Sequence, residues 1–196
     1  MPEENTRERI LASVVDTLAR SGMAGTGLRD LASAAGVSHR TLLYHFGSRD
    51  ALVLEALREL RDRQFAQLTH TLGNPGATPP PQDLARGVWK NISASESSDW
   101  FKLFFEAYVA SLRAPDAYEE FLDGVVHRWV GLIDAIFEEQ WPHLENDEAG
   151  TLLLAALRGL HLDLLATGDR ARVERALETL LRFFAPPAPT EGERSR

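Results

Sequence analysis

Apolar residues recur along this chain at intervals of three and four, and no stretch of useful length alternates apolar with polar. Between residues 6 and 20 the recurrence is carried by Ile10, Leu11, Val14, Val15 and Leu18. A period near 3.6 lines such side chains along one face of a helix, whereas a half-buried strand needs a period of two. The same pattern predicts further helices over roughly 83–95, 99–113, 116–140, 146–167 and 169–184. The chain is therefore expected to be all-α, with about nine helices and no internal repeat. The punctuation agrees: Gly22 closes the first helix and Trp141-Pro142 stops the one that begins near 116. The run GNPGATPPPQ (73–82), with four prolines and two glycines, reads as a loop. The last eleven residues, PPAPTEGERSR, read as a disordered tail.

A chain of 196 residues with 44% hydrophobic content can bury a core of its own. It has no cysteine, which removes disulfides and thiolate chemistry and suits a reducing cytoplasm. The first residues, MPEENTRERILASVV, spread acids and arginines through the segment and do not resemble a signal peptide. No uninterrupted apolar stretch reaches the length of a membrane span, so no membrane partner is expected. The net charge of −8 argues at first against nucleic acid. Its distribution reverses that reading. The first 70 residues balance nine basic against nine acidic groups, so the whole excess lies beyond them. Between Leu28 and Arg49 the only acid is Asp30, set against Arg29, Arg40, Arg49 and two histidines.

That interval contains two short predicted helices. Thr26 can cap the first, which carries Leu28, Leu31, Ala32 and Ala35, and Gly36 suits the left-handed turn after it. Ser38 can cap the second, HRTLLYHF, which Gly47 ends; Ser48 caps a longer helix toward residue 72. Two short helices about a glycine turn form a helix-turn-helix, whose second helix enters the major groove of DNA. From Ser38 to His45 is about 12 Å, comparable with the groove width. Leu42 and Phe46 can anchor this helix, leaving His39, Arg40, Thr41, Tyr44 and His45 to face outward. Arg40 can fork onto guanine, His39 and Thr41 can reach bases or phosphate, and Tyr44 and His45 can bind phosphate. Thr26 and Ser48 place helix N-termini where backbone N–H groups can bind phosphate, with Arg29 and Arg49 just inside those helices, and Ser38 is a further candidate for DNA contact.

The run TGLRDLASAAGVSHRTLLYHFGSRDAL (26–52) resembles the DNA-binding segment of the TetR family of bacterial transcriptional regulators. The usual pattern there is T-x-x-D-[IL]-A-x-x-A-G-V-S-x-x-T-[LI]-Y-x-[HY]-F-x-[SN]-K-x-x-L. Two positions depart from it: Leu43 stands where Tyr or Phe is common, and Arg40 where a small residue is common. The resemblance implies a helix-turn-helix domain over 1–48, a connecting helix over 49–72, and a ligand-binding and dimerisation bundle over 83–185, with the tail at 186–196. It implies a homodimeric repressor on pseudo-palindromic operator DNA, released by a small-molecule effector.

The acidic two-thirds can be read for both jobs of such a bundle. In TLLLAALRGLHLDLLA (151–166) apolar side chains cover nearly the whole circumference, so the helix needs cover on more than one side. Leu153, Leu157, Leu160 and Leu164 on it, with Val173, Leu177, Leu180, Leu181 and Phe184 on the last helix, are the expected dimer contacts. A central core helix of a monomer is the alternative. For a ligand, Trp100, Phe101, Phe104, Phe105, Tyr108, Val125 and Trp129 form aromatic and apolar stripes, with Tyr108, His127 and His161 as orienting polar groups. A small hydrophobic or aromatic effector would suit them, though such stripes also serve as core.

Catalysis is not expected. Glu-x-x-His pairs, H-E-x-x-H, a P-loop and G-x-S-x-G are all missing from the sequence, and no metal or cofactor is expected. An activator, or a DNA binder indifferent to ligands, remains an alternative on the same fold. A helical-bundle enzyme or a metal-binding protein is a more remote one.

Overall fold

A computed structural model describes residues 2–72, 81–94, 98–137 and 147–183. Among them there is no strand, in agreement with the periodicity. The helices are α1 (Pro2–Ser21), α2 (Leu28–Ala34), α3 (His39–Phe46), α4 (Arg49–Leu72), α5 (Pro81–Ile92), α6 (Ser98–Ser111), α7 (Glu119–Leu122), α8 (Arg128–Phe137), α9 (Glu148–Thr167) and α10 (Arg170–Phe183). Between α7 and α8 the backbone continues as a π-helical turn, Asp123–His127, so these form one helical path. Counted in that way, the described residues hold nine helices.

The helix predicted over 116–140 thus begins as a 3₁₀ turn at Pro115–Tyr118 and contains the π turn. Proline supplies a fixed φ for the first turn but no amide donor. The π turn is held from outside: Arg61 of α4 lies where a side chain on Gly124 would project, and its Nη1 donates to the Glu120 carbonyl at 2.9 Å. Residues 82 and 81, read as loop, belong to α5, whose first residue is a proline, a favoured first helical position. The rest of that loop, the Trp141-Pro142 stop and the tail lie outside the described residues.

The chain divides into two compact units, each of two segments. The first comprises Met1–Thr78 and Asn91–Arg128, the second Pro79–Lys90 and Trp129–Arg196. In the first, α1 contributes Ile10, Val14 and Leu18 to a core shared with Leu31 of α2, Leu42 of α3, Leu52 and Leu57 of α4, and Leu103 and Phe104 of α6. Each such fully buried side chain contributes about 1.5–3 kcal/mol.

The second unit is built on α9 and α10. Leu153, Leu157 and Leu164 on α9 and Val173, Leu177 and Leu181 on α10 are buried. Gly168, at φ 69°, makes the turn between the two helices. Arg172 spans the corner, donating to Asp163 at 2.6 and 2.9 Å and holding that carboxyl below the usual range. Arg86 of α5 donates to Glu178 of α10 at 2.9 Å. α9 is also long and apolar enough to cross a membrane by length and composition, despite the polar residues that interrupt it. The face carrying Leu153, Leu157, His161 and Leu164 is buried.

Candidate nucleic-acid interface

The loop after α1 is fixed from two sides. Gly22 turns the chain at φ 75°, and the Met23 amide donates to Glu106 of α6 at 2.6 Å. From the start of α4, Arg49 donates to the Met23 carbonyl at 2.6 Å and to the Thr26 carbonyl at 2.9 and 3.0 Å. Thr26 is buried, and its hydroxyl donates back to the Gly22 carbonyl at 2.7 Å. The expectation that Thr26 caps α2 is therefore corrected. Gly27 is the N-cap, and Asp30 accepts from its amide at 2.8 Å. Thr26 and Arg49, both nominated as DNA contacts, are committed to shaping this loop.

The turn itself follows the sequence closely. Gly36 has φ 65°, its amide bonds to Ser33 and that of Val37 to Ala32, which closes α2 with a left-handed glycine. Ser38 Oγ then accepts from the Thr41 amide at 3.0 Å and lies 2.9 Å from the Thr41 hydroxyl. Thr41 thus spends its side chain on the cap. Gly47, at φ 76°, ends α3, and Ser48 Oγ accepts from Ala51 at 3.0 Å to start α4.

One face of α3 is bolted down. Leu42 and Phe46, four residues apart, are buried, and the Arg7 guanidinium lies 4.8 Å over the Phe46 ring while pairing with Glu55 at 2.7 Å. The opposite face presents Arg40 and Tyr44, with Tyr44 75% exposed. His39 and Leu43 stand exposed on one flank, and half-buried His45 packs against Tyr44 with ring centroids 5.1 Å apart. Arg29 is exposed on α2. The geometry thus places His39, Arg40, Tyr44 and, at the edge, His45 outward on α3, with Arg29 exposed on α2.

The ligand candidates separate. Trp100, Phe101, Phe104, Phe105, Tyr108, Val125 and His127 belong to the first unit, Trp129 and His161 to the second. On α6 the rings form a continuous ladder: Trp100 stacks on Phe101 at 5.2 Å, and Phe104 touches Trp100, Phe105 and Tyr108 at 5.6, 5.1 and 5.7 Å. Phe104 and Val125 are core, whereas His127 is exposed. The Trp100 indole N–H is buried without a hydrogen-bond partner. In the second unit His161 is buried with its ring 6.1 Å from Trp89, and burial, aided by Arg170, lowers its pKa to about 4.

The dimer candidates are also redistributed. Leu153, Leu157, Leu164, Val173, Leu177 and Leu181 are buried, so they are not the exposed face. Leu160 and Leu180 are half-buried, and the Phe184 side chain lies outside the described residues. The outward stripe is instead Leu152, Ala155, Gly159, Leu162 and Ala166 on α9, with Phe183 on α10 84% exposed. Its three-and-four spacing was readable in the sequence, but an apolar circumference gives no phase by itself.

A capped, glycine-delimited helix held on a three-helix core with polar side chains outward defines a helix-turn-helix protein. Comparison with known proteins narrows this. Residues 10–56 match the model of bacterial regulatory proteins of the tetR family. The transcriptional regulator RutR of Escherichia coli K12 is 40% identical over 62 residues, 32% of this chain and 29% of that one. The transcriptional repressor KstR2 of Mycolicibacterium smegmatis is 32% identical over 90 residues, 46% of this chain and 43% of that one. These alignments span less than half of either relative. The likeness to solved structures runs further: the multidrug binding protein EbrR, complexed with ethidium, aligns over 90% of this chain and 97% of its own, at 27% identity and a TM-score of 0.68. The segment that carries α2 and α3, residues 10–56, thus has the sequence pattern of the tetR family of bacterial regulatory proteins.

Proposed function

We propose that this protein is a DNA-binding transcriptional regulator, acting in the cytoplasm as a homodimeric repressor that a small apolar or aromatic ligand releases from its operator. The observation that carries the reading is α3: Leu42 and Phe46 fix it, Ser38 and Gly47 delimit it, and Arg40 and Tyr44 project from its free face. Arg40 forks onto guanine in the major groove, while His39, Tyr44 and Arg29 bind bases or phosphate. The exposed apolar stripe of α9 with Phe183 supports pairing with a second copy about a two-fold axis. Two reading helices then meet half-sites about one helical turn, or a multiple, apart. For the effector, the ring ladder of α6 suits flat aromatic molecules such as the ethidium that EbrR binds. Such a ligand releases DNA only as far as it binds a non-binding arrangement more tightly.

The test is fluorescence anisotropy of full-length protein with double-stranded DNA from its own upstream region, over a range of salt and with ethidium as first effector probe. Binding that weakens steeply with salt and prefers one sequence supports the reading. Arg40→Ala should erase preference for one base pair per half-site, a loss of about 1–3 kcal/mol of discrimination. Absence of any salt-sensitive DNA binding would falsify the proposal.

A further inference from the structure

Resting on the DNA-reading role of α3, we infer that Leu43 is a specificity residue that reads the 5-methyl group of a thymine beside the guanine contacted by Arg40. Leu43 is 38% exposed although it sits in a helix of eight residues whose other leucine is fully buried. It is not among the apolar side chains that pack on the core of its unit. At 3.6 residues per turn it lies on the same flank as Arg40, three residues earlier, and His39, four residues earlier. It is therefore the apolar element within a cluster of exposed polar groups on the free side of α3.

A leucine can offer DNA neither a hydrogen bond nor a charge, so phosphate contact is closed to it. What it can offer is apolar contact, and the major-groove edge of thymine carries the one methyl group among the four bases. The surroundings fit an acidic partner and not a second apolar surface. Asp30, the only acid between Leu28 and Arg49, accepts from the Gly27 amide in the cap of α2, which leaves Arg29 and Arg40 as the charged groups on the exposed side. Arg40 and Leu43 one turn apart then specify neighbouring positions, a guanine by donors and a thymine by its methyl.

The experiment uses the full chain and a duplex selected by it from a random-sequence double-stranded DNA library. Each thymine of the selected half-site is replaced singly by deoxyuridine, which deletes only the methyl group. One position per half-site is expected to weaken binding about fourfold, the factor for one buried methyl-sized group. Leu43→Ala protein, with helix content unchanged by circular dichroism, should bind the thymine and deoxyuridine duplexes equally at that position. Loss of thymine sensitivity in Leu43→Ala at that one position, with any penalties at the other half-site positions kept, supports the inference. A wild-type protein indifferent to deoxyuridine everywhere overturns it, as does a deoxyuridine penalty at that position that survives in Leu43→Ala. If the library yields no preferred sequence, the DNA-reading proposal fails and this inference falls with it, an outcome distinct from sequence-specific binding without methyl sensitivity.

Discussion

His161 shows what a single buried side chain costs when the medium changes. It is 2% exposed, sits edge to face with Trp89, and carries a pKa lowered to about 4 from 6.5 by burial first and by Arg170 second. The neutral ring is the folded form, so the unfolded chain binds the extra proton between those two values. Stability supplied by the neutral form is complete above pH 6.5 and is lost as pH falls toward 4, by up to roughly 3 kcal/mol. Urea titrations at pH 7 and pH 4.5 should show that loss, and in His161→Phe the pH dependence should shrink. An unchanged slope in the variant would remove His161 as its source. At the same scale, Ser38→Ala deletes the acceptor for the Thr41 amide and is expected to cost about 1 kcal/mol in a denaturant melt.

Elements show what could be read from the chain and what could not. The boundaries of α3 were legible because their causes are local: a serine that caps, and a glycine at each side where φ is positive. The start of α2 was misread at Thr26 because threonine and the next glycine both suit a cap. The Arg49 donors that turn the Thr26 backbone inward come from 23 residues away. The π turn was illegible for the same reason. Its stabilising partner, Arg61, belongs to α4, and no periodicity within 116–140 announces it. Gly124→Ala should therefore push Arg61 out of its place and destabilise the protein by about 1–3 kcal/mol, measured by chemical denaturation. Equal stability would mean that the guanidinium relocates freely.

At the scale of the molecule, the stripe on α9 makes a claim about assembly. Leu162→Glu places a carboxylate on that exposed stripe while leaving buried Leu157 and Leu164 untouched. Analytical ultracentrifugation should find the wild type dimeric and the variant shifted toward monomer, with operator affinity falling at least tenfold because two half-sites are no longer bound together. A variant that stays dimeric would move the interface elsewhere. Six of the apolar positions chosen from sequence, Leu153, Leu157, Leu164, Val173, Leu177 and Leu181, are buried, because only the folded chain reveals which side of α9 is already covered. The first compact unit carries one more lesson, for anyone who would transplant its DNA-reading end. That end shares its core with Leu103, Phe104, Phe121 and Val125, contributed by a segment that returns only after residue 91. A chimera cut after α4 would leave α1 with bare hydrophobic surface, so the portable piece is the discontinuous pair of segments and a swap must carry both.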